Sequence, residues 1–182
     1  MLPATKPGLP GYKNTGYDKE RYKRLEQKEW FTEQVKKCED SIYRLSMSIL
    51  RNADDAADAA QEAIFIAYRK LYTLRDKSKF RSWLLRILAN ECYGMLRQRQ
   101  RYVDIDSLAE VEAPATPENQ QPLWQAVCDL NEDMRSVVVL FYYEGFSIQE
   151  IATILKISEA NTKTRLYRAR LRLRMMLGEE IK

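Results

Sequence analysis

The chain has 182 residues, with 30 Lys and Arg against 26 Asp and Glu, no His, three Cys and 45% hydrophobic residues. That is enough apolar material for one domain or two small ones. The lack of His removes the commonest metal ligand and the commonest general base, which argues against an enzyme, and no apolar run approaches bilayer length.

Nothing in the chain has the form of a phosphate loop, a dinucleotide glycine fingerprint or a nucleophile elbow. The start, MLPATKPGLPGYKNTGY, lacks the continuous apolar core of a secretory signal, so a cytoplasmic location is expected, with no cofactor and no metal. Cys38, Cys92 and Cys128 are far apart and each lies in an apolar helical pattern. They read as buried small hydrophobes, with no disulfide framework or zinc spacing available.

Residues 1–28 contain Pro3, Pro7, Pro10, Gly8, Gly11 and Gly16 with little apolar periodicity, and a flexible tail is expected. A first helical domain follows over 29–101. Cys38, Ile42, Leu45 and Ile49 mark one buried face. Asn52 is a stop and restart, and Asp54 and Asp55 suit the positive end of the next helix dipole. That helix carries Ala56, Ala60, Ala63, Ile64, Ala67 and Leu71 along a buried stripe. After a polar turn at Asp76 to Lys79, a third helix runs from about Phe80 to Arg101, with Leu84, Leu88, Cys92 and Met95 facing inward.

Residues 102–122 hold Pro114, Pro117 and Pro122, five acids and no period, and read as a flexible acidic linker. A second domain occupies 123–178. It opens with a short helix around Leu123 to Leu130 and another from about Glu132 to Glu144, capped by Asn131 and closed by Gly145. Ser147-Ile148-Gln149-Glu150 has the form of a capping box, and Ile148, Ile151, Ala152 and Leu155 follow at helical spacing. Lys156-Ile157-Ser158 interrupts before a longer helix whose stripe is Leu166, Ala169, Leu173 and Met176. The expected fold is all-α, in two small helical domains joined by the acidic linker.

From Lys156 to Arg174 the basic residues are Lys156, Lys163, Arg165, Arg168, Arg170, Arg172 and Arg174, opposed only by Glu159. A short helix, a three-residue turn and a longer basic helix form a helix-turn-helix, whose second helix presents its N-terminal residues to a DNA major groove. The plain alternative is a helical hairpin with a solvated charged face. The cap, the turn length and the scarcity of acids favour DNA binding.

Two segments carry a family resemblance. DDAADAAQEAIFIAYRKL (Asp54 to Leu71) with FRSWLLRILANECYGMLRQRQR (Phe80 to Arg101) resembles the second conserved domain of bacterial sigma factors. LNEDMRSVVVLFYYEGFSIQEIATILKISEANTKTRLYRARLRLR (Leu130 to Arg174) resembles their fourth. With no room for the domain that lies between them in larger members, the pattern is similar to the extracytoplasmic-function group.

The resemblance implies a protein that binds core RNA polymerase and directs promoter-specific initiation, with promoter DNA as a second partner and an anti-sigma factor as a candidate third. It implies that Asp58, Gln61 and Glu62 grip the polymerase, and that Arg86, Asn90, Tyr93 and Arg97 bind the melted promoter strand. Their spacing mixes cations, an amide and an aromatic ring on one stripe, which suits a strand with extruded bases. Asn161, Lys163, Thr164, Arg165, Arg168 and Arg172 are implied to bind the upstream element as duplex. Asn131 stands where the family usually has Pro, and Asn161 where a small residue commonly opens the recognition helix. The competing readings are a stand-alone helix-turn-helix regulator, which binds duplex tightly without polymerase, and a helical adaptor that never touches DNA.

Overall fold

The computed structural model describes residues 16–103 and 122–178. The chain divides into a unit ending at Lys36 and a larger one from Lys37 onward. The described part of the first lies in a long helix, α1 (Gly16–Lys37). Helix therefore takes in the last thirteen residues, 16–28, of the stretch expected to be a tail. The sequence there, GYDKERYKRLEQKEWF, is rich in strong helix formers but has no apolar stripe, so a search for buried periodicity passes over it. Of the expected linker at 102–122, residues 102–103 and Pro122 are helical instead, and 104–121 lies outside the described residues.

In the larger unit α2 (Glu39–Leu50), α3 (Ala53–Arg69) and α4 (Phe80–Val103) pack on one another. Ile42, Leu45 and Ile49 of α2 are buried, as is Cys38 just before it. The α2 to α3 junction is local chemistry. Arg51 turns left-handed at φ 55° and its N–H returns to the Met47 carbonyl at 3.1 Å, while the Asn52 side chain accepts from the Asp55 N–H at 2.9 Å.

The face of α3 toward its neighbours is Ala56, Ala59, Ala63 and Ala67, all nearly inaccessible. Ala59 replaces the expected Ala60, and Ile64 is half-buried. Small side chains let α3 lie close against α2 and α4, and Leu84, Leu85, Leu88, Ala89 and Cys92 fill the space from the α4 side. Met95 is only half-buried. Burial pushes the Cys92 thiol up to about 12 and raises that of Cys38, so neither is a reactive thiolate. Cys128 is half-buried, less enclosed than expected.

The second helical region comprises α5 (Pro122–Cys128), α6 (Glu132–Val138), α7 (Ile148–Leu155) and α8 (Glu159–Met176). Asn131 caps α6, accepting from the Met134 N–H at 3.0 Å. The β-branched run Val137, Val138 and Val139 is helical because all three side chains are buried. At Val139–Tyr143 the helix widens to a π turn, with the Glu144 N–H reaching the Val139 carbonyl at 3.0 Å, before Gly145 closes it at φ +71°. Ser147 and Glu150 form the reciprocal capping box, and Ser158 caps α8 through the Asn161 N–H at 3.1 Å.

The two helical regions pack together within the larger unit: α6 lies on α2 and α7 lies on α4. Two charged side chains tie the regions. Arg135 of α6, 5% exposed, donates to the carbonyls of Cys128 at 2.7 Å and Leu130 at 2.5 Å, and across the junction to that of Ser48. Glu144, just beyond the π turn, has a fully enclosed side chain. Its carboxylate accepts from Arg44 Nε at 2.5 Å, from the Ser41 hydroxyl at 2.6 Å and from the Arg81 guanidinium.

Because the Arg135 fork satisfies three carbonyls, Arg135→Ala should destabilise the protein by about 2 to 4 kcal/mol, and Arg135→Lys should recover little, since an ammonium cannot reproduce the fork. Urea unfolding followed by circular dichroism measures both. Burial alone would push the Glu144 carboxyl up, but the bonds from Arg44, Ser41 and Arg81 outweigh it and hold the group below the ordinary glutamate range. A depressed folded value stabilises above the unfolded value, about 4.3, and that stabilisation is lost as pH falls through the folded one. Thermal melts should therefore show an acid-side loss of stability that shrinks in Glu144→Gln.

Candidate functional site

Three surfaces hold the residues that the sequence points to. The first is the outer face of α3. Asp58, Gln61 and Glu62 are exposed and line one shallow cavity of about 510 Å³ together with Phe65, Glu91 and Met95. Asp58 and Glu62 stand one turn apart, opposite the alanine face that buries the helix. Glu91 of α4 adds an acid, and Phe65, 54% exposed, adds an apolar platform with Arg69 over its ring at 5.5 Å. No sequence signal marks Glu91 or Phe65, because the pairing of α3 with α4 sets their position. An acidic, partly apolar surface suits a basic protein partner.

The second surface runs along α4. Of the four residues placed on one stripe, Arg86 and Arg97 are exposed and Asn90 is half-buried. Tyr93 is half-buried and turned to α6, its hydroxyl 3.1 Å from the Ser136 hydroxyl. Burial raises its pKa, the contact with Ser136 opposing this only in part. In this packing its hydroxyl is already engaged within the chain.

Arg86 lines a groove of about 470 Å³ with Asp76, Lys79, Ser82 and Trp83 on one wall and Gln149, Glu150 and Thr153 of α7 on the other. The loop is built by Asp76, whose carboxylate accepts from the Ser78 N–H at 2.9 Å and the Ser78 hydroxyl at 2.7 Å. Those two bonds, the hydroxyl's first, hold the Asp76 carboxyl below its ordinary value. Ser82 and the α7 residues are not legible as site residues in the sequence, since no local pattern signals which helix crosses a groove.

The third surface is the helix-turn-helix. Lys156 turns left-handed at φ 54°, and its N–H and that of Ile157 both return to the Ala152 carbonyl, ending α7 without a glycine. Leu166, Ala169 and the unpredicted Thr162 are buried and seat α8. Met176, expected on the stripe, is 37% exposed. Asn161, Lys163, Thr164, Arg168 and Arg172 are exposed or partly so, and Asn161, Thr164, Arg168 and Arg172 recur at i, i+3, i+7 and i+11 on one face. The Thr164 hydroxyl donates back to the Ala160 carbonyl at 2.9 Å.

Arg165 differs from the others. Its side chain is 20% exposed and pairs with Asp133 of α6 at 2.8 Å, so it braces α8 against α6. On the opposite flank Arg170 donates to the Tyr142 hydroxyl at 2.8 Å and lies over the Phe141 ring at 6.0 Å. Among the described residues no helix is long and apolar enough to cross a membrane.

Comparison with known proteins matches these same regions. The model of Sigma-70 region 2 matches residues 35–102, and that of Sigma-70 region 4 matches residues 120–173. The chain is 30% identical to RNA polymerase sigma factor SigV of Bacillus subtilis over 142 residues, covering 76% of this chain and 86% of that protein. It is 32% identical to the RNA polymerase sigma-H factor of Pseudomonas aeruginosa over 154 residues, covering 75% and 80%. Among solved structures, the sigma factor RpoE of Bartonella quintana, in complex with the anti-sigma factor NepR, superposes with a TM-score of 0.68 at 27% identity, over 83% of this chain and 98% of that one. CnrH, in complex with the cytosolic domain of CnrY, shares the fold with a TM-score of 0.59 at 22% identity, over 83% and 89%.

Arg168 is exposed whereas Arg165 is paired with Asp133, so their substitutions should differ in effect. Arg168→Ala should cost about 1 to 3 kcal/mol of duplex binding with stability unchanged. Arg165→Ala should in addition lower the melting temperature, with a coupling to Asp133 below about 1 kcal/mol in a double-mutant cycle, since the pair is partly exposed.

Proposed function

The chain belongs to the sigma-70 family of RNA polymerase sigma factors, proteins that direct promoter-specific transcription initiation, and from that premise we propose how its three surfaces divide the task. The α3 face with Asp58, Gln61 and Glu62 docks on core RNA polymerase. The α4 face takes the downstream promoter element as melted single strand, with Asn90 reading an extruded base by its amide and Arg86 and Arg97 following the backbone. The α8 face of Asn161, Lys163, Thr164, Arg168 and Arg172 reads the upstream element as duplex, its cations supplying phosphate contacts and base edges. Arg165 acts there mainly through the bracing of α8.

The observation that carries this reading is the coexistence in one chain of an exposed acidic helix face and an exposed basic recognition helix, each seated by its own buried stripe. A stand-alone duplex-binding regulator has no use for the first. The protein acts in the cytoplasm and by binding, without chemistry of its own. An anti-sigma factor is a further partner, by analogy with the complex that RpoE forms with NepR.

Run-off transcription with purified core polymerase, with and without this protein, tests the proposal. Promoter-dependent initiation is expected, and Asp58→Lys with Glu62→Lys should abolish both co-purification with the core enzyme and the transcript while leaving helicity intact. Tight duplex binding without any stimulation of core polymerase would favour the stand-alone regulator.

A further inference from the structure

The face of α4 proposed to hold the melted strand is only partly open: Arg86 and Arg97 are exposed, but Asn90 and Tyr93 are half-buried. The groove beside Arg86 is walled on its far side by α7, whose Glu150 carboxylate stands 3.9 Å from Lys79, so an acid lies beside a cation of the groove. Two turns along, Tyr93 is bonded to Ser136 of α6. The helix-turn-helix region therefore covers part of the surface that the strand needs, and it does so with polar groups of the kind a nucleic acid would present.

Besides Arg135 on the Ser48 carbonyl, the cover is held by one enclosed carboxylate that lies beside the α4 face. Glu144 contributes both an oxygen pair and its main-chain carbonyl: Arg44 and Ser41 of α2 bond the carboxylate, while Arg81 of α4 bonds the carboxylate and, at 3.1 Å, the carbonyl. The same Arg81 guanidinium lies 4.7 Å from the centre of the Phe146 ring, two residues beyond Glu144. All of these bonding partners lie in the region that carries the α4 face, and Glu144 lies at the base of the helix-turn-helix. The arginines are partly open to solvent, at 35% and 41% side-chain exposure, so they remain solvated when the contact breaks, whereas the acid gains solvent only then.

We propose that the helix-turn-helix region of this protein is a built-in mask over its own strand-binding face, and that Glu144 is the catch that holds it closed. The proposal rests on the assignment of α4 to single-stranded DNA. The mask and the strand compete for Arg86 and the groove around it, so the closed form binds a strand weakly and the open form binds it well. The apparent dissociation constant is the intrinsic one divided by the open fraction, and a variant that releases the catch tightens binding by that factor.

The test uses the full chain and a short fluorescent single-stranded DNA of mixed sequence as probe. Glu144→Gln keeps the shape of the side chain and removes its charge. It should enlarge the radius of gyration in small-angle X-ray scattering, retain helicity, and bind the probe about tenfold more tightly, the factor for an open fraction rising from about a tenth to nearly all. Arg44→Gln releases the catch from the other side and should act in the same direction, which decides the matter if Glu144→Gln loses helicity. Adding Arg86→Ala to either variant should remove the gain, placing the uncovered site on α4.

Variants that stay as compact as wild type and bind no tighter would overturn the catch. Variants that expand but bind no tighter, or whose gain survives Arg86→Ala, would overturn the mask. Failure of the underlying functional reading has a separate signature: wild type and variants alike would give no promoter-dependent run-off transcript with core polymerase.

Discussion

A carboxylate taken out of water must be met by donors or it will take up a proton, and the junction of this molecule is arranged around that requirement. Glu144 has no solvent access, yet it stays ionised because two guanidinium groups and a hydroxyl converge on it from α2 and α4. The α2 donors lie about a hundred positions earlier in the chain, so the contact can form only when both helical regions are folded and in register. A sliding movement of one region over the other would strand a buried charge, which makes this contact a determinant of the arrangement more than a source of stability.

The backbone around Glu144 is shaped to deliver it. The π turn at Val139–Tyr143 adds a residue to the helical turn, rotating Glu144 relative to its place on an unbroken α-helix, and the left-handed Gly145 then ends the helix at once. Val137, Val138 and Leu140 stay in the core while Glu144 turns to its arginines and Tyr142 reaches Arg170. Arg135 ties the same helix to α2 through the Ser48 carbonyl while collecting two carbonyls at the end of α5. The junction is thus polar at both ends, with these buried groups satisfied from within the chain.

Charge is divided by the same logic. Acids are exposed on α3, and bases on α8 are open to solvent except where Asp133 takes Arg165, Arg170 staying exposed although it bonds the Tyr142 hydroxyl. An arginine in a basic helix is therefore not automatically a nucleic-acid ligand. Its neighbours on the helix behind decide whether it points outward or braces the fold, and α6 settles that question for Arg165.

Much of this is written in local sequence. Asn52, Asn131, Ser147 and Ser158 announce helix starts because a short polar side chain can satisfy an amide that the helix cannot, and all four do so here. The buried positions of α2 and α4 follow from apolar spacing, and the basic face of α8 from composition and period. The helix α1 is hidden from such a reading because it has no apolar stripe, and Ala59 cannot be told from Ala60 because neighbouring alanines offer periodicity no contrast. What no local pattern can decide is which surfaces meet. Glu144 reads as an ordinary acid before a glycine, Arg81 as a helix-opening cation, Tyr93 as part of a strand-binding stripe and Arg165 as one more base. Each acquires its role from a partner distant in sequence, whose position is set by the packing of whole helices; the sequence by itself determined most of the helices, their caps and their buried faces, and the tertiary structure alone decided which polar side chains remain available to a partner.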